Sequence, residues 1–117
     1  MSPKRGDRVA PPPSADEWDV RFANNDSVKG WDELSRQAAH NTREAWLAMR
    51  SNPDPRLPTA RHHQLKGSLA TCVREGRTLP RWQVEVTGGG RIWYLLDVER
   101  RTVWIVHAGT GHPKVTD

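Results

Sequence analysis

Three runs rich in β-branched and aromatic residues, 82–87, 91–98 and 102–107, crowd the end of the chain. Gly88-Gly89-Gly90 separates the first two, and polar Glu99-Arg100-Arg101 separates the last two. Strand-forming runs joined by such short turns are the signature of an antiparallel meander. Within it, period-2 alternation puts Trp82, Val84 and Val86 on one face and Gln83, Glu85 and Thr87 on the other. Arg91, Trp93 and Leu95 share a face opposite Ile92, Tyr94 and Leu96. A strand apolar on both sides belongs in the middle of a sheet. Helices can cover only one face, so something must lie across the other, where an arginine and an exposed tryptophan are expected.

Upstream, residues 17–23 alternate cleanly, with Trp18, Val20 and Phe22 inward, and predict a first strand. Asn24-Asn25-Asp26-Ser27 offers N-cap oxygens, and Val28, Trp31, Leu34 and Ala38 follow at helical spacing, predicting a helix over about 27–38. Asn41 with Glu44 has the spacing of a capping box for a second helix over about 42–51, with Thr42, Ala45, Trp46 and Met49 inward. Pro53 stops it. Three prolines, at 53, 55 and 58, make residues 53–81 an irregular connection with a turn at Gly67. The expected class is α+β, in the order β-α-α-β-β-β, a two-helix hairpin on one face of a small, mostly antiparallel sheet. Residues 1–15, with Pro11-Pro12-Pro13, read as a disordered leader to a single domain over 16–117.

The chain has 117 residues and a formal net charge of +4. Residues 1–55 carry 8 Lys/Arg against 9 Asp/Glu, whereas residues 56–117 carry 10 against 5. The sheet half is therefore basic, which suits a polyanion or an acidic partner. The mean hydropathy of −0.81 and the lack of a long apolar run speak against a membrane span. The basic N-terminus has no apolar stretch of the secretory kind, so a cytoplasmic protein is expected. One cysteine, Cys72, leaves no internal disulfide, and His62, His63, His107 and His112 match no standard zinc spacing. No cofactor and no metal are expected.

His63-Gln64-Leu65-Lys66-Gly67, Arg91-Ile92-Trp93-Tyr94 and Gly111-His112-Pro113-Lys114, in that order, resemble motifs of the RelE/ParE superfamily of bacterial toxins, over about residues 17–117. The resemblance implies the toxin of a toxin–antitoxin pair, an mRNA endonuclease that inhibits translation, many such toxins acting on the ribosome. Other members of the fold poison DNA gyrase without cutting RNA. A third alternative is an inactive remnant acting as an antitoxin-bound corepressor. Expected partners are a cognate antitoxin, mRNA and the ribosome, with no membrane. The free protein is expected as a monomer, and with antitoxin as a hetero-oligomer.

Metal-free cleavage through the ribose 2′-OH needs a base, an acid and cations for the charge on phosphorus. Arg91 matches the family's central-strand arginine and suits a phosphate; the plainer reading pairs it with Glu85 across the hairpin. His112 is the acid/base candidate, since imidazole titrates near neutral pH. Glu85 stands where some of these ribonucleases carry lysine, and is either the base or a partner of Arg91. Arg81, Lys114, Lys66 and His63 are candidate phosphate contacts, and Trp93 either stacks on a base or lies in the core. The chain ends at Val115-Thr116-Asp117 without the terminal tyrosine of several such nucleases.

Overall fold

A computed structural model of the chain describes residues 3–9 and 11–110. The first strand, β1, is Asp19–Phe22. Helix α1 (Asn25–Gln37) begins at the Asn24 cap, whose side-chain oxygen accepts from the Ser27 amide at 2.7 Å. Helix α2 (Ala39–Ser51) follows after a single residue. Ala38 closes α1 by donating to the Leu34 carbonyl and accepts from Thr42 N, so one residue serves both helices. The capping box expected at Asn41 is therefore not used: Asn41 lies inside the first turn of α2, and no side chain caps that helix.

The connection expected to be irregular holds two strands. β2 is His62–Gln64, a short 3-10 turn spans Gly67–Leu69, and β3 is Thr71–Arg74. β4 then runs Arg77–Glu85, five residues earlier than the alternation predicts. Both residues between β3 and β4 have positive φ, 50° at Glu75 and 79° at Gly76. That geometry gives the two-residue hairpin turn whose twist suits flanking strands. Glutamate followed by glycine is a weaker turn signal than asparagine followed by glycine, and runs of three and four residues are too short to show a period. β5 (Arg91–Asp97) and β6 (Thr102–Gly109) complete the meander.

The element order is thus β-α-α-β-β-β-β-β, with sheet order β1-β6-β5-β4-β2, and β3 on the early half of β4. Only the β1–β6 pair is parallel. The class is α+β with a mostly antiparallel sheet, as expected. Val20, Phe22, Val84, Ile92, Tyr94, Leu96, Val103 and Ile105 form the core beneath the helices, together with Leu34, Ala45 and Met49. Burying such side chains stabilises the fold by roughly 1.5–3 kcal/mol each.

The proline-rich segment read as a leader runs antiparallel along the outer edge of β1. Gly6 N donates to Phe22 O and Val9 N to Val20 O, both at 2.7 Å. Val9 is buried, Trp46 Nε1 donates to its carbonyl, and Arg50 bonds both the Pro12 carbonyl and Glu17. One apolar residue and a free strand edge supply what this polar segment needs to dock.

A bulge in β6 decides which side chains reach the second face. Trp93 faces His107 and Tyr94 faces Ile105, so Val106 has no partner. An extra residue shifts the alternation by one. His107 consequently leaves the core side of Val103 and Ile105 and joins Trp93. Asn24 Nδ2 takes up the Val106 carbonyl at 3.1 Å.

Candidate functional site

The face away from the helices is built in rows by the strand register. Glu85 stands directly opposite Arg91, Gln83 opposite Trp93, and Arg81 opposite Leu95. β2 adds His63 beside Gln83, and β6 adds His107 beside Trp93 and Trp104 beside Leu95. Of the expected site residues, Arg91, Glu85, Arg81, His63 and Trp93 are brought together on this face. Lys66 stands at the end of β2 and is exposed. His112 and Lys114 lie outside the described residues.

Trp93 is not the exposed platform expected. It is 3 % exposed, its Nε1 donates to Gln83 Oε1 at 2.8 Å, and His107 meets it edge-on. The Arg81 guanidinium lies 5.7 Å from its ring centroid. A ring so enclosed cannot stack on a base, so Trp93 holds its neighbours in place. What lies across this face at its other end is the β3–β4 hairpin. Arg74 stacks on Trp104 at 4.0 Å, and Arg77 pairs with Asp97. The short hairpin, which the sequence does not show, thus covers one end of the second face.

Glu85 is the carboxylate of the row, half-buried, and stands 3.9 Å from Arg61, a loose ion pair worth little by itself. His63 is better oriented. Its Nδ1 lies 3.0 Å from the Thr59 carbonyl, which can only accept. Nδ1 therefore carries the proton, and Nε2 of the neutral ring is a bare acceptor. His63, Gln64, Lys66 and Trp82 line a cleft of about 600 Å³ with Pro58 and Thr59. A hollow of similar volume on the helix side, beside Val28, Trp31 and Ser35, lies across the molecule from this face.

His62, the neighbouring histidine, faces the core instead. Its Nε2 is 2.7 Å from the Tyr94 hydroxyl, which donates to the Pro53 carbonyl at 2.5 Å. The one phenolic proton is taken, so His62 Nε2 donates. Burial drives the Tyr94 phenol well above its ordinary range, which removes it from proton transfer. Burial, and then the charge of His63, push His62 below the usual imidazole value. The native state therefore binds a proton at His62 less readily than the unfolded chain does. Stability is complete above about pH 6.5 and falls as the pH drops below it. In His62→Gln, urea midpoints between pH 5 and 6.5 are expected to vary less with pH than in the native protein.

Among the described residues no three His, Cys, Asp or Glu side chains cluster as a metal site. Among them, too, no helix is long and apolar enough to cross a membrane. His107 was not among the sequence candidates, because straight alternation places it in the core and only the bulge turns it outward. No family model matches the chain, and neither does any curated protein or solved structure.

Proposed function

We propose that the protein is a metal-free endoribonuclease of the RelE-like toxin type, cutting mRNA through attack of the ribose 2′-OH on the adjacent phosphate. The observation that carries this reading is one sheet face on which Arg91, Glu85 and an oriented His63 stand in adjoining rows. Helices confined to the opposite face, and a mostly antiparallel sheet, fit the same reading.

In this mechanism Arg91 meets the scissile phosphate and stabilises the charge that develops on it. His63 accepts the 2′-OH proton at Nε2, its ring held by the Thr59 carbonyl in the one tautomer able to do so. Glu85 supports the cationic imidazole that results, one row away. Protonation of the leaving 5′-oxygen falls to His107, the diagonal neighbour of Arg91, or to His112. Translation stops as message is cut, and a cognate antitoxin covering this face would silence the protein.

The test is cleavage of single-stranded RNA in chelator, free and with ribosomes, scored for 2′,3′-cyclic phosphate ends. Arg91→Gln is expected to lower the rate about 10²–10³-fold, and His63→Gln about 10²–10⁴-fold, with thermal midpoints near native. His107→Gln and His112→Gln then identify the acid. A native protein that leaves RNA intact under both conditions overturns the proposal, and DNA damage on expression would turn attention to gyrase.

A further inference from the structure

Most cations on the second face are already answered by carboxylates. Arg21 and Arg8 pair with Asp19, Arg77 with Asp97 and Glu99, and Arg61 stands near Glu85. Arg74 and Arg81 are different. Neither makes a salt bridge or a side-chain hydrogen bond among the described residues; each guanidinium instead lies over a tryptophan, Trp104 at 4.0 Å and Trp93 at 5.7 Å. The Nε of each is buried without a partner, and both residues are half-buried.

The two tryptophans are diagonal neighbours across β5 and β6, since Trp104 faces Leu95, two residues from Trp93. Their Cα atoms are thus roughly 7–8 Å apart. Stacking on a ring fixes the plane of a guanidinium and lowers the entropy lost when it binds, and the fork of donors that remains suits phosphate oxygens. Two charges held in this way, with no internal anion, are arranged for an external one. The excess of Lys/Arg over Asp/Glu in residues 56–117 gives that anion's attraction a long reach.

We infer that Arg74 and Arg81, seated on Trp104 and Trp93, form a second phosphate-binding station for single-stranded RNA, beyond the Glu85–Arg91 row. It rests on the ribonuclease reading for the identity of the polyanion. The β3–β4 hairpin, which carries Arg74, is then the element that extends the RNA path across the sheet. Its role is to bind the flanking backbone, and cleavage itself happens elsewhere on the face.

The experiment uses a fully 2′-O-methylated, uncleavable oligonucleotide, so that binding is read without chemistry. With R74Q/R81Q, the slope of log affinity against log salt should be shallower by about 1.4, at about 0.7 for each phosphate no longer neutralised. R74K/R81K, which keeps both charges, should retain most of that slope. In the native protein, the oligonucleotide should protect Arg74 and Arg81 from phenylglyoxal, a readout that needs no variant to fold. An unchanged slope in the glutamine pair, absent protection, or no binding by the native protein overturns the inference. Arginine-dependent binding by a protein that never cuts unmodified RNA would keep this station and reject the nuclease. Cleavage with an unchanged slope would do the reverse.

Discussion

Gly30→Ala is expected to lower the thermal midpoint by about 10–20 °C, a loss of roughly 3 kcal/mol. Gly30 sits in α1 where the helix crosses β6, and a Cβ there would fall 1.6 Å from the Ala108 carbonyl oxygen. The obstacle is the β6 backbone near the end of that strand, so no rotamer relieves it. Either α1 lifts from β6, opening the core around Leu34, or the β6 ladder bends. Helix propensity argues the opposite way, since alanine is favoured over glycine by about 1 kcal/mol in a helix interior. The clash outweighs it. A variant as stable as the native protein in a calorimetric scan would show that α1 does not rest on β6 at this point. Because β6 also carries His107 and Trp104, the same substitution is expected to weaken the RNA binding proposed above.

Asp97→Ala is the second large effect, expected at about 3 kcal/mol in denaturant unfolding. The Asp97 side chain is fully buried and accepts from both terminal nitrogens of Arg77, from Trp104 Nε1 and from the Arg100 amide. Removing it leaves the Trp104 indole and the Arg100 amide without their acceptor, and leaves the half-buried Arg77 cation with Glu99 alone. The hydrogen bonds of Arg77, foremost, hold this carboxyl below the usual carboxylate range. A depressed folded pKa means that the contribution is complete above about pH 4 and is lost as the pH falls further. The pair also ties the β3–β4 hairpin to the β5–β6 turn, helped by Arg77–Glu99 and Arg100–Glu75. Hydrogen exchange should therefore accelerate over Thr71–Arg74 before it does in β5. Equal protection of the two segments in Asp97→Ala would show that the clamp is not what holds the hairpin down.

Both effects turn on residues that carry no motif. A glycine inside a helix and an aspartate at the end of a strand each look replaceable along the chain. What makes them costly to change is a contact with a segment distant in sequence, β6 for Gly30 and β4 for Asp97. Local propensity, which ranks both substitutions as mild, has no access to that information.

The sequence by itself determined the elements long enough to show a period. The three-stranded meander, its turns at Gly88-Gly89-Gly90 and Glu99-Arg100-Arg101, the first strand and both helices follow from alternation and helical spacing. So does the placement of Ile92 and Tyr94 on one face and of Glu85 and Arg91 on the other, since alternation along the pleat fixes it. Tertiary structure decided the rest, in each case because the cause lies in a partner strand. Three-residue β2 exists only by pairing with β4, and its register sets His63 beside Gln83 while turning His62 to Tyr94. The leader docks because β1 offers it an edge. The bulge at Val106 brings His107 out of the core, Arg74 of the β3–β4 hairpin comes to lie over Trp104, and Gln83, His107 and Arg81 enclose Trp93. A strand's period is written along the chain, but its register, its bulges and its cover are settled by what lies next to it.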